Sequence, residues 1–301
     1  MIDRRTMLAL MGSAACSGCG TVGRTVGQLF DYIGTMPIEQ PPPVPDAEPN
    51  IPQDWVIWAS FLRYDARKWD GRMQGILSAT WSDAAFEDAL KWHKKQGDNT
   101  LFLAMADQGD NGAPVTMYSG GVYVGGNLND ANVQRMLSRM IRIRQEGFRI
   151  VAWLTMDDSP AIHGAGTAAL VKHARDVHGQ FGDHIAAYCI GLEIDEDKRR
   201  NSAAAITAAL KELTKQTVYA HMCSGANWKL ARDWGCDGAM LQYGFGSNLA
   251  AYVALTKKWC GAMDREWPGA RKVAGEYSRD SDEGWGEKLI EAGAVDGYGN
   301  G

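Results

Sequence analysis

The stretch Ala-Ala-Tyr-Cys-Ile-Gly-Leu-Glu, residues 186–193, decides how this chain reads. An uncharged run of small, aliphatic and aromatic residues has the length of one strand and ends on a carboxylate. Lys-Val-Ala-Gly-Glu, 272–276, repeats the arrangement and ends on Glu276. Working outward from these two, short apolar runs alternate with longer segments of helical periodicity, the pattern of βα units around a parallel sheet. Strands are expected at 55–62, 100–106, 149–156, 186–193, 217–222, 238–243, 272–276 and 295–298. Helices are expected between them, at 83–96, 131–146, 165–179, 202–215, 226–233, 247–266 and 282–292. In the second of these, Val133, Met136, Leu137, Met140, Ile141 and Ile143 trace one buried stripe. The spacing predicts an α/β protein, a single (β/α)8 TIM barrel over 54–301 with its eighth helix absent. A doubly wound open sheet is the competing topology, but no glycine-rich phosphate fingerprint follows the first strand. In a barrel, Glu193 after the fourth strand and Glu276 after the seventh share the mouth where such folds place their chemistry.

Length and composition agree with one large globular core: 301 residues, 45% hydrophobic and 22% charged. The net charge is −5, and the basic runs are no longer than Lys198-Arg199-Arg200, which leaves nucleic acid without an electrostatic partner. Eleven tryptophans are many for this length. Packing of the barrel wall accounts for part of them, and stacking on sugar rings is the functional use of a flat apolar face carrying an N–H.

The first residues read as an export leader, 1–19. Arg4 and Arg5 precede a short apolar run, Met7–Ala15, too short to span a bilayer, and small residues follow. The leader resembles a bacterial lipoprotein signal with Cys16 or Cys19 as the lipidated residue, and Arg4-Arg5 gives it a loose twin-arginine character. Export to the periplasm, the cell surface or the medium is expected, with membrane contact only through that lipid. Residues 20–53 form a linker: 37–53 is proline-rich and extended, while Val22, Val26, Leu29, Phe30 and Ile33 carry helical spacing. That short helix is a candidate to cover the barrel wall left open beside the eighth strand. Among Cys223, Cys236 and Cys260, an exported protein has room for one disulfide.

Other strand ends bring polar groups to the same mouth. Asp107 follows the second strand, Asp157 the third, His221 lies in the fifth, and Gln242-Tyr243 end the sixth. Trp153 near the end of the third strand and Trp285 beyond the seventh are the sugar platforms expected. Each has a plainer reading: Asp157-Asp158-Ser159-Pro160 is good turn chemistry, and His221 is of the kind that often sits satisfied in a core. Asp195 and Glu196 compete with Glu193 as the acid. The long loops 63–81 and 107–128 shape the opening.

The placement of Glu193 and Glu276 resembles the clan A glycoside hydrolases, in which the acid/base glutamate follows strand four and the nucleophile follows strand seven. The resemblance covers 54–301 at the level of fold and implies a glycosidase of retaining stereochemistry acting on an oligo- or polysaccharide, with no cofactor and no metal. It departs at Leu192, where that clan carries asparagine beside the acid. The residues leave stereochemistry open: a carboxyl separation of about 5 Å implies retention and about 6.5–9.5 Å inversion. Two rivals remain. A metal-dependent sugar isomerase or epimerase would use Glu193, His221 and Glu276 as ligands, and a non-catalytic glycan-binding barrel would keep the fold without turnover.

Overall fold

The computed structural model describes residues 57–58, 83–96, 100–105, 130–155, 165–196, 198–243, 248–278, 285–294 and 296–300. All belong to one compact unit within Pro41–Gly301. The leader 1–19, the linker 20–53 with its short helix, the loops 63–81 and 107–128, Cys16, Cys19, Asp107 and Asp157 lie outside the described residues.

Eight strands follow in chain order: β1 Ile57–Trp58, β2 Thr100–Ala104, β3 Arg149–Trp153, β4 Ala187–Cys189, β5 Thr217–Met222, β6 Gly238–Leu241, β7 Arg271–Ser278 and β8 Asp296–Asn300. Each pairs in parallel with the next, and the sheet runs β1 to β8 without a crossover. β1 also approaches β8, so the sheet curls back on itself as a (β/α)8 barrel. Between the strands stand α1 Asp83–Gln96, α2 Asp130–Gln145, α3 Thr167–Phe181, α4 Ala203–Leu213, α5 Trp228–Asp233, α6 Leu249–Glu266 and α7 Trp285–Glu291.

The pleat sorts each strand's residues between lumen and helices. Trp153 of β3 and His221 of β5 stack at 5.8 Å across the intervening β4, as lumen residues of alternate strands do. Phe102 of β2 lies 4.6 Å from the Trp153 ring, and Phe102, Trp153, Cys189, Tyr219 and His221 have no exposed surface. The opposite face meets helices: the Tyr188 hydroxyl bonds His178 of α3 at 2.7 Å, and His173 Nε2 of α3 donates to the Leu154 carbonyl at 2.7 Å. In α2 the stripe residues Met136, Met140 and Ile143 are completely buried. The helix ends at Gly147, whose φ of +90° only glycine adopts readily. An Arg142 fork on Glu87, at 2.9 and 3.0 Å, ties α2 to α1.

Only β5 has the expected span; most other strands differ in length, and two of them, β4 and β7, do so through an irregularity at the mouth. β4 keeps only three residues, because the chain leaves the ladder at Ile190 and turns at Glu193. β7 continues to Ser278 through a bulge: Ala274 pairs with Gly297 and Tyr277 with Gly299, three steps of one strand against two of the other. Gly275 and Glu276 are the residues inside it. Bulges gather next to active sites, where they re-aim the chain.

Candidate active site

The site is built on the turn after β4. Gly191 is needed where it stands: a β-carbon there would meet Thr155 Oγ1 at 2.4 Å. Thr155 Oγ1 donates to the Ile190 carbonyl at 2.9 Å, and the Leu192 N–H donates to the Thr155 carbonyl at 2.9 Å, so β3 carries the turn from below. Glu193 then enters the left-handed region with φ +46°, the only non-glycine residue to do so among the described residues. A side chain makes that conformation unfavourable, and it persists where the surroundings over-determine it.

The surroundings can be named. The Glu193 N–H donates to His221 Nδ1 at 3.2 Å, and its carbonyl accepts the Glu196 N–H at 3.1 Å. The Ile194 N–H donates to the His221 carbonyl at 3.1 Å. Arg199, in the 3-10 turn Lys198–Asn201, is 1% exposed. Its guanidinium donates to the Leu192 carbonyl at 2.8 Å and reaches the Glu193 carbonyl at 3.5 Å and Thr155 Oγ1 at 3.4 Å. His221 is held neutral: burial, and then the nearby Arg199 charge, push its pKa down to about 3. Neutrality is what lets Nδ1 accept.

The three acids of the turn have different situations. Asp195 is committed to structure, its oxygens accepting from the Cys223 N–H at 2.7 Å, the Ser224 N–H at 3.4 Å and Asn227 Nδ2 at 2.8 Å. Glu196 is exposed and accepts the Cys223 thiol at 2.6 Å. Glu193 is half-buried, and its carboxylate, that of Glu196 and Cys223 Sγ lie within 4.8 Å of one another. Burial, the Glu196 hydrogen bond and the charge of Glu193 all push the Cys223 thiol pKa up. Two carboxylates and a sulfur are donors of the kind a divalent ion accepts, although a thiol kept protonated is a poor ligand. The ligand set of the rival isomerase reading is different, and in it His221 Nδ1 is already occupied by the Glu193 N–H. The disulfide is also corrected: Cys189, Cys223, Cys236 and Cys260 are all free thiols, and Cys236 and Cys260 are buried. Small, apolar and weakly polar, buried cysteine serves here as packing.

Across the mouth, Glu276 sits in the bulge of β7, and Gln242 and Tyr243 follow β6. Gln242 is 2% exposed and shares the lumen face with Met240, and its Oε1 has no hydrogen-bond partner among the described residues. Tyr243 packs edge-on against Tyr252 of α6, with centroids 4.7 Å apart and an interplanar angle of 77°. The Tyr252 hydroxyl donates to the Gly275 carbonyl at 2.5 Å, one residue before Glu276. Burial raises the Tyr243 hydroxyl pKa and keeps it a neutral phenol. Trp153 lies in the lumen stack with no exposed surface, and Trp285 opens α7. Sequence reading did not find Arg199 or Tyr252. Arg199 hides in a basic triplet that reads as surface charge, and Tyr252 on a helix face carries no signal that distinguishes it from core.

No protein-family model matches the sequence, and no curated protein does. Solved structures do match. A putative glycoside hydrolase from Bacteroides vulgatus superposes with a TM-score of 0.58 at 12% identity, covering 83% of this chain and 51% of that one. A family 5 glycoside hydrolase from the same organism gives 0.54 at 14% identity, covering 73% and 55%. The endoglucanase Cel5A of Pseudomonas stutzeri gives 0.50 at 12%, covering 70% and 76%. In fold, the chain resembles the clan A barrel glycoside hydrolases. It spans about half the length of the two Bacteroides proteins.

Proposed function

We propose that the chain is a glycoside hydrolase that cleaves an oligo- or polysaccharide with two carboxyl groups, Glu193 as acid/base and Glu276 as nucleophile. The observation that carries this reading is the backbone of Glu193. A side-chain-bearing residue is held left-handed at the end of β4 by partners from β5 and from the turn before α4. Such strain gathers where a side chain must be aimed. Glu276 supplies the second carboxyl group in this reading, and the bulge within β7 at that residue supports it. The likeness to barrel glycoside hydrolases supports the same assignment.

On this reading Glu193 protonates the departing glycosidic oxygen while Glu276 attacks the anomeric carbon with retention, and Glu193 then deprotonates the water that releases the sugar. Gln242 offers a carbonyl oxygen to a sugar hydroxyl, a donor its buried Oε1 can use. Tyr243, Asp107, Asp157 and Trp285 complete the substrate contacts, and neither cofactor nor metal takes part. The enzyme is exported and held at the membrane by lipid on Cys16 or Cys19.

The test is asymmetry between two variants. Glu276→Gln should abolish turnover of every accepted glycoside, because an amide cannot attack. Glu193→Gln should slow substrates with poor leaving groups by about a hundred- to ten-thousand-fold, and spare the first step for good leaving groups. Equal losses across all leaving groups, together with inhibition by a chelator, would point to a metal-dependent isomerase. Binding of glycans without any turnover would point to a non-catalytic barrel.

A further inference from the structure

We propose that Arg199 and His221 are positioning residues that clamp Glu193 by its own peptide groups and thereby fix where its carboxyl group stands. The proposal rests on the reading of Glu193 as the acid of a two-carboxylate site. Side chains other than glycine enter the left-handed region singly and at a cost, and relax from it when unsupported. Glu193 is supported on both sides. Its N–H is taken by His221 Nδ1, and its carbonyl is reached by the Arg199 guanidinium, which also holds the carbonyl just before it.

Neither partner is free to drift. The His221 ring is stacked on Trp153 and completely buried, which fixes the direction of Nδ1. Arg199 is buried, and its other nitrogen reaches Thr155 Oγ1, the atom that blocks any side chain at Gly191. The same Thr155 oxygen donates to the Ile190 carbonyl, so β3, β5 and the turn before α4 converge on four residues of chain. With the clamp removed, Glu193 would relax to negative φ, and its side chain would leave the turn in another direction. The strength of the acid would then be unchanged, but its place relative to the glycosidic oxygen would be lost.

Two measurements decide the matter. In the leaving-group series, Arg199→Met and His221→Leu should reproduce the signature of Glu193→Gln: at least a tenfold loss in kcat for poor leaving groups and near-normal first-step rates for good ones. His221→Asn, whose side-chain oxygen can accept in place of Nδ1, should recover most of that loss. Uniform slowing of all substrates would make both residues merely structural and overturn the proposal. The second measurement is thermal unfolding in the Glu193→Gly background, where glycine takes the left-handed conformation unaided. Arg199→Met, or Arg199→Lys if the first variant does not fold, should lower the Tm more there than in the parent chain, where relaxation of the strained glutamate offsets part of the lost hydrogen bonds. An equal drop in both backgrounds would sink the clamp. If the parent chain turns over no glycoside, the two-carboxylate reading fails by itself, and the unfolding cycle still decides whether the clamp exists.

Discussion

At Glu193 a conformation that would suit glycine is given to a glutamate, while two residues earlier a glycine is given to a place that admits no side chain. Gly191→Ala would press a β-carbon to within 2.4 Å of Thr155 Oγ1 and 3.0 Å of Ile194 Cδ1. Overpacking of that kind costs about 1–3 kcal/mol. The substitution should therefore lower the urea midpoint, and it should reduce turnover further by shifting the turn that carries Glu193. Gly225→Ala should behave alike, since its β-carbon would stand 2.3 Å from the Tyr243 ring. Unchanged midpoints in both variants would contradict the packing described here. At this scale the sequence was partly legible. Glu193 and Glu276 stand out as candidates because a charge closing an apolar run is expensive to bury. Arg199 did not, because nothing in Lys198-Arg199-Arg200 distinguishes the buried cation from its two exposed neighbours.

Helices and strands were far more legible, since their positions follow from burial that repeats with a fixed period. α1 spans the expected 83–96, and β5 the expected 217–222. Several strands end short of or beyond the expected residue, and the misfits with a visible cause are β4 and β7, where a turn and a bulge break the period at the mouth. Local hydrogen bonds, such as those from Thr155, His221 and Arg199, override the pleat there, and they have no periodicity to read. One contact between elements carries a pH dependence. His173 of α3 donates to the Leu154 carbonyl, and burial pushes its pKa from the ordinary 6.5 down to about 4. As pH falls below about 6.5 the unfolded chain takes up this proton first, so stability is full above that value and declines toward pH 4. The loss is on the order of 3 kcal/mol once pH reaches the folded value, and His221 adds to it with the same sign. His173→Gln keeps a donor for the Leu154 carbonyl without titrating, so urea unfolding between pH 7 and 4.5 should show a shallower decline. The same decline in parent and variant would remove His173 from the account.

For the molecule as a whole, the alternation of elements pointed to the barrel, but the proposed export and anchoring belong to the leader. If Cys16 or Cys19 is lipidated, the full chain expressed with its own leader should partition into membranes. Replacing both cysteines should move it to the soluble fraction, and full solubility of the processed parent would remove the anchor. A different consequence follows from the stack of Phe102, Trp153 and His221 in the lumen, where these three together with Cys189 and Tyr219 are completely buried. The barrel has a floor. A polymer cannot be threaded through it from end to end. It has to lie across the rim or enter by one tip, and whatever is released leaves on the side by which it came. Traffic through the proposed site is that of a cul-de-sac, with departure of one molecule a condition for arrival of the next.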